Sequence, residues 1–250
     1  VRARWEDGSS AYTIKRFGIV NRYDLSKEFP ALTLRPTGWK NAIDELLWIW
    51  QKKTNDITQL QSHIWDAWAG EDNTIGTAYG YQLGKQYNFR QGRMDQVDNV
   101  IWQLKNTPAS RRIMTNIYNF EDLSKMGLEP CAYSMTFNVT DNRLNAILNQ
   151  RSQDVLVANN WNVVQYAVLV HMLAQVCGYE AGELVHVIAD AHIYDKHVPL
   201  VEELIGRTQY PAPKFEMNPD VKDFYEFTLD DFKLENYQAG PQIKNIPVAE

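Results

Sequence analysis

The chain has 250 residues, 44% hydrophobic and 22% charged, which suits a globular protein with a substantial core. A net charge of -6 argues against a general nucleic-acid binder, which needs a basic face, and no apolar stretch is long enough to span a membrane as a helix. Two cysteines, Cys131 and Cys177, cannot make a disulfide framework, no Cys/His cluster has zinc spacing, and no signal-peptide pattern opens the chain, so a reducing, cytoplasmic setting is expected.

Residues 1–39 read as turns and short strands. A polar loop, Arg2-Ala3-Arg4-Trp5-Glu6-Asp7-Gly8-Ser9-Ser10, precedes strand-like segments at Tyr12–Ile14 and Arg16–Val20. Arginine in such a loop is either solvated or free to reach an anion. Residues 40–51 place Ala42, Ile43, Leu46, Leu47, Ile49 and Trp50 at helical spacing. Glu45 lies among them, and the helix alone favours a solvent-flanking position, because a buried carboxylate is costly unless paired. Trp65 and Trp68, three apart, share one helical face as core or as a stacking surface. The segment from Gly76 to Gly80, which contains Tyr79, is glycine-bracketed and loop-like.

An amphipathic helix is expected over Asp95–Lys105, and a strand over Ile113–Tyr118 behind Arg111 and Arg112. Adjacent arginines at a strand start point to opposite faces, as surface charges or as anion ligands. Tyr133–Val139 and Arg143–Asn149 form a hairpin around Thr140-Asp141-Asn142. Trp161–Gly178 is apolar on nearly all sides and predicts a central helix closed by Gly178, with Asn162 at its start as a cap or as a reader of a donor–acceptor edge. A short strand over Glu183–Val187 leads to Asp190-Ala191-His192-Ile193-Tyr194-Asp195-Lys196-His197, whose histidines lack a known metal spacing. Further strands and turns are expected at Phe215–Met217 and Phe224–Leu229. Cys177, inside an apolar run, reads as an inert core thiol.

Two stretches carry chemistry. In Leu128-Glu129-Pro130-Cys131-Ala132-Tyr133, proline interrupts the ladder just before a cysteine. In Gln150-Arg151-Ser152-Gln153-Asp154, arginine and serine follow one another, a pair suited to a phosphate. Side by side, Arg151 would favour the thiolate of Cys131. With no repeat or low-complexity linker, residues 1–250 are expected to form one domain.

Together these pieces resemble the thymidylate synthase family along essentially the whole chain. The matching segments are Glu45-Leu46-Leu47-Trp48, Ile64-Trp65-Asp66-Ala67-Trp68, Tyr79-Gly80, Ser110-Arg111-Arg112, Pro130-Cys131, Gln150–Asp154, Asn162, Asp190–Tyr194 and Pro247-Val248-Ala249. The resemblance implies an α+β, three-layer fold, a mixed sheet packed with helices, dimerising through its sheet face. It implies reductive methylation of dUMP to dTMP with 5,10-methylenetetrahydrofolate and no metal. Cys131 would attack C6 with Arg151 beside it, and Glu45 and Tyr79 would run proton transfers, which reverses the solvent placement of Glu45. Arg2, Arg151, Ser152 and Asp154 would bind dUMP near its phosphate and base, with Arg111 and Arg112 donated by the other subunit of a homodimer. Asn162 would read the uracil edge, and His192 and Tyr194 the deoxyribose 3'-hydroxyl. Trp65, Trp68, Asp154, Val157, Ala158, Trp161, Val248 and Ala249 would line the folate site.

Several positions depart from the commoner pattern. Ala132 replaces a histidine after Pro-Cys, Thr136-Phe137 replaces Gln-Phe, and Ala158-Asn159-Asn160-Trp161-Asn162 replaces Gly-x-Pro-Phe-Asn. Arg35 stands for a lysine, Glu250 for an apolar end, and the family's helix ahead of Arg2 has no counterpart, which implies a trimmed chain. A dUMP hydroxymethylase of the same superfamily is the alternative activity, and a catalytically silent nucleotide- or RNA-binding relative is the alternative class.

Overall fold

In chain order, the computed structural model, which describes residues 3–249, contains β1 (Thr13–Asp24), α1 (Trp39–Trp50), α2 (Gly80–Gly84), β2 (Tyr87–Phe89), β3 (Gly92–Met94), α3 (Gln96–Asn106) and β4 (Met114–Asn116). It continues through β5 (Ala132–Thr140), β6 (Arg143–Asp154), α4 (Asn159–Cys177), β7 (Glu180–Tyr194), α5 (Val198–Ile205), β8 (Lys214–Met217) and β9 (Phe232–Glu235). A five-stranded sheet runs β1-β7-β6-β5-β4; β6 and β7 pair in parallel and the other neighbours antiparallel. Parallel neighbours need a crossover, and α4 supplies it. Two two-stranded ribbons, β2-β3 and β8-β9, complete the α+β architecture. Among the described residues, no helix is long and apolar enough to cross a membrane.

The sheet's two faces differ. Leu144, Ala146, Leu148 and Gln150 of β6, and Leu184, His186 and Ile188 of β7, are buried at alternate positions. Above them lies α4, with Val163 to Val170 buried without a break, and α1 packs against α4. Helix α4 ends where Gly178 turns left-handed at φ 81° and its N–H reaches back to Ala174 O. On the other face, one cross-strand row runs Met114, Thr136, Ile147, Val185, Arg22; Met114 and Ile147 are exposed.

Asp141 and Asn142 both take positive φ, at 50° and 60°, and close the β5–β6 hairpin at the expected place. Several expectations need correction. The first strand is continuous over 12 residues, and β7 is 15 residues long rather than a short segment, so His192 and Tyr194 lie on a strand. Ile113–Tyr118 contains only the three-residue β4, and Arg111 and Arg112 occupy the turn before it, so strand alternation does not govern them. Phe224–Leu229 is not a strand; Phe224 and Phe227 bury themselves through short 3-10 turns, and the strand is β9, paired with β8. Trp65 and Trp68 do not lie on an α-helical face, because only a single 3-10 turn, Asp66–Trp68, forms there. Trp65 is consequently buried while Trp68 remains exposed.

Candidate active site

Cys131 stands just before β5, where the ladder with β6 shifts register between Ala132 and Ser134. Such an irregularity re-aims a side chain at a strand end. Opposite it, the Arg151 N–H donates to Cys131 O at 2.9 Å. The Arg151 guanidinium turns back along the approach to the cysteine, donating from Nε to Pro130 O at 3.0 Å and from Nη2 to Glu129 O at 2.7 Å. The two stretches singled out by sequence therefore meet. Burial pushes the Cys131 thiol above its ordinary pKa, and Arg151 opposes that shift only in part. Arg151 thus favours the thiolate, as expected, while desolvation exceeds the cation's pull in this state.

Tyr79 supports the same cysteine from the other side. The Cys131 N–H donates to Tyr79 Oη at 3.1 Å. Tyr79 itself sits at φ 44°, a left-handed conformation that costs a bulky residue energy. Its turn is held by close packing at Gly80, where an added Cβ would lie 2.4 Å from Thr54 O. Burial, reinforced by nearby Cys131, raises the phenol well above its usual pKa, so Tyr79 is a neutral hydroxyl here.

Glu45 is 5% exposed, in contrast to the solvent placement that its helix suggested. Its carboxylate is satisfied by three N–H groups: Trp65 Nε1 donates to Oε1 at 2.6 Å, while Gln165 Nε2, at 2.6 Å, and Trp161 Nε1 donate to Oε2. Desolvation raises its pKa, and these three donors pull it back in part. A buried carboxyl held above its ordinary pKa suits a proton-handling role.

Asn162 lies in the first turn of α4 and does not cap it; the helix starts two residues earlier than expected, and Ala158 occupies the cap without a side-chain bond. Asn162 Oδ1 accepts from Gln150 Nε2 at 3.2 Å, and Nδ2 donates to Gln165 Oε1 at 3.1 Å. One lone pair and one N–H of the amide remain. Ser152 is half-buried on β6 beside Arg151.

At the far end of β6, Asp154 pairs in register with His192. Asp154 Oδ1 accepts the N–H groups of Leu156 and Val157, both at 3.0 Å, closing the turn into α4. His192 Nδ1 lies 3.0 Å from Asp190 Oδ1, and His197 is buried with Nε2 2.7 Å from Pro247 O. The two histidines thus have separate partners, and among the described residues no group of three or more His, Cys, Asp or Glu could hold a metal. Tyr194 packs edge-on against Trp5, His192 and His197. The tail runs alongside: Ala249 bridges Trp5, and Val248 is exposed.

An apolar wall lies beside this cluster. Trp68 and Val157 are exposed, Ala158 and Trp161 are half-buried, and Trp65 meets Tyr79 edge-on at 4.9 Å. Two buried polar atoms nearby on the chain, Arg35 Nε and Asn159 Oδ1, have no partner among the described residues, while Arg35 Nη2 donates to Leu156 O at 2.5 Å. An apolar face with unpaired polar atoms at its edge suits a flat, partly polar molecule.

Not every expected residue gathers here. Arg2 lies outside the described residues. Arg111 and Arg112 are exposed and precede Ile113, whose carbonyl accepts from Phe137 N, six residues along β5 from Cys131. That is roughly 20 Å at strand spacing, so they do not join Cys131 of their own chain. Sequence reasoning missed Gln165 and His186, both buried among apolar neighbours. A lone polar residue in an apolar stripe was the available signal, as it was for Glu45.

Known proteins resemble the chain along nearly its whole length. The family described as thymidylate synthase matches residues 3–249. Thymidylate synthase 1 of Bacillus spizizenii is 46% identical over 248 residues, covering 97% of this chain and 88% of that protein. The thymidylate synthase of Bacillus phage phi3T is 47% identical with the same coverage of 97% and 88%. The solved structure of thermostable thymidylate synthase A from Bacillus subtilis superimposes with a TM-score of 0.95 at 44% identity, covering 100% of this chain and 91% of that one.

Proposed function

We infer that the chain, which belongs to the thymidylate synthase family, converts dUMP to dTMP as a methyltransferase, with Cys131 as the attacking group. The observation that carries the site reading is the contact network that joins Cys131, bonded through its backbone to Arg151 and Tyr79, by way of Trp65 to the buried Glu45 carboxylate and on through Gln165 to the Asn162 amide. The hydroxymethylase alternative is not favoured, since the relatives compared are named thymidylate synthases.

C5 of uracil becomes nucleophilic only when C6 is attacked. The Cys131 thiolate adds at C6, and the electron pair moves through C5 and C4 to O4. Asn162 Nδ2–H donates to O4, where that charge develops, and Oδ1 accepts from N3–H. Methylenetetrahydrofolate, the family's co-substrate, supplies the one-carbon unit and the hydride. Glu45, with Tyr79, moves protons to O4 and from C5 through water; the folate amine leaves the carbon bonded to C5, that carbon takes the hydride, and Cys131 leaves C6 as the thiolate. Arg151 and Ser152, with Arg2, bind the phosphate, and Asp154 borders both substrates. His192 and Tyr194 hold the 3'-hydroxyl. Trp65, Trp68, Val157, Ala158, Trp161, Val248 and Ala249 face the folate.

The chain acts as a homodimer through the open sheet face, where exposed Met114 and Ile147 support a partner, and Arg111 and Arg112 serve the partner's phosphate site. Residues 1–250 act as one catalytic domain, a reading supported by the span of the family match. Two free thiols support a cytoplasmic setting.

The test is near-ultraviolet absorbance with dUMP and methylenetetrahydrofolate, followed by identification of the nucleotide. Dihydrofolate appearing in step with dTMP is expected. Formation of 5-hydroxymethyl-dUMP without dihydrofolate, or dUMP binding without turnover, would contradict the reading.

A further inference from the structure

A chain of side-chain amides joins the base-reading residue to the buried acid. His186, on β7, is fully buried with Nε2 2.8 Å from Gln150 Oε1. Gln150 Nε2 donates both to Ser152 O at 2.9 Å and to Asn162 Oδ1 at 3.2 Å. Asn162 Nδ2 donates to Gln165 Oε1 at 3.1 Å, and Gln165 Nε2 donates to Glu45 Oε2 at 2.6 Å. From Gln150 to Glu45 every link runs the same way.

Direction matters because of what Asn162 reads. Uracil offers a donor at N3 and an acceptor at O4, whereas cytosine offers an acceptor at N3 and a donor at its amino group. An asparagine free to turn end for end suits either base. Here both flanking amides are set by groups acting as acceptors, the Ser152 carbonyl and the Glu45 carboxylate, which takes three N–H donors. The Ser152 carbonyl draws the Gln150 NH2 toward itself and toward Asn162, and the Glu45 carboxylate draws the Gln165 NH2, which leaves its oxygen for Asn162. Reversing Asn162 alone would set oxygen against oxygen and N–H against N–H at part-buried contacts, where unpaired groups are costly.

His186 completes the set. Gln150 Oε1 needs a donor, which only the Nε2–H tautomer supplies. The Nδ1 atom of His186 has no partner among the described residues, as suits its unprotonated nitrogen. Burial holds the imidazole pKa down to about 4, so the ring is neutral at physiological pH.

We propose that this one-way chain locks Asn162 in the orientation that accepts uracil and rejects cytosine, with Gln165 and His186 as specificity-positioning residues. The proposal rests on Asn162 reading the base as described above. It is tested by measuring Kd for dUMP and dCMP in the wild type, Gln165→Met, Gln165→Glu and Asn162→Asp, with thermal melts to confirm folding. Gln165→Met removes the acceptor for Asn162 Nδ2, and the preference for dUMP is expected to fall roughly tenfold, the scale of one hydrogen bond. Gln165→Glu retains an acceptor there and is expected to keep the preference while lowering turnover. An unchanged preference in Gln165→Met, or an equal loss in both variants, would overturn the proposal. If Asn162→Asp leaves the preference unchanged, the reading of Asn162 fails instead; if it shifts the preference and Gln165→Met does not, only the relay fails. Should the variants not fold, nitrogen-15 NMR of histidine in the wild-type protein remains decisive: the Nε2–H tautomer of His186 is expected, and Nδ1–H would overturn the relay.

Discussion

Cys131 and Glu45 are both acidic groups withdrawn from water, yet the chain surrounds them differently. Cys131 sits at a strand end, held through its backbone by Tyr79 and Arg151, with one guanidinium nearby to oppose desolvation. Glu45 sits between two packed helices and a tryptophan turn, with N–H donors on both oxygens. In the proposed reaction the thiol forms and breaks a bond, and its position is fixed through the backbone. The carboxylate stays in place throughout, and its own atoms are held. A nucleophile and a proton-handling acid thus call for opposite kinds of support: one through the backbone, the other through the side chain itself.

That contrast can be broken at each end. Cys131→Ser should lower turnover about 10^3-fold or more while dUMP still binds, because an alcohol is far less ionised than a thiol; steady-state rates and calorimetric titration check this. Glu45→Gln should lower kcat by about 10^2–10^4-fold. It replaces an acceptor by an NH2 facing the indole and amide donors, so melting temperature should fall as well. Arg151→Gln should weaken dUMP binding roughly ten- to a hundredfold, as expected for a lost charged hydrogen bond. The same change removes the cation that, among the described residues, opposes desolvation of Cys131, so the midpoint of its alkylation by iodoacetamide should move to higher pH.

A further effect concerns stability. The pKa of His186 is lowered from 6.5 to about 4 in the fold. Between those values the unfolded chain binds the proton that the folded chain refuses, so stability falls as pH drops through that window. Glu45, raised by burial, has the opposite sign: its protonation at low pH favours the fold. His186→Gln keeps a donor for Gln150 but removes the titrating ring. Urea unfolding as a function of pH should therefore flatten between about 6.5 and about 4, by up to about 3 kcal/mol.

The sequence was most readable where a local rule and the tertiary environment agree. Helix α4 is apolar all round because it lies between the sheet and α1, and the β5–β6 hairpin is marked by Asp141-Asn142 at positive φ. It was least readable where tertiary packing decides. Phe224 and Phe227 bury themselves from turns, and the strand expected over Glu183–Val187 stops short of the end of β7 because Asp190 and His192 interrupt its apolar pattern beyond Val187. Glu45 read as solvent-facing by helix periodicity alone; its partners Trp65, Trp161 and Gln165 come from 20, 116 and 120 residues away, beyond any local pattern. The resemblance to a family placed it correctly because motifs carry such long-range pairing implicitly.

The most direct test of the account uses the two cysteines as mutual controls. Enzyme turning over dUMP and methylenetetrahydrofolate is quenched and digested, and the Cys131 and Cys177 peptides are examined by mass spectrometry. Burial pushes Cys177 up to about 11, and it packs against the core, so it should remain unmodified. The account predicts one nucleotide-derived mass on the Cys131 peptide, lost in Cys131→Ser together with activity. Nucleotide on Cys177, or full turnover in Cys131→Ser, would contradict it.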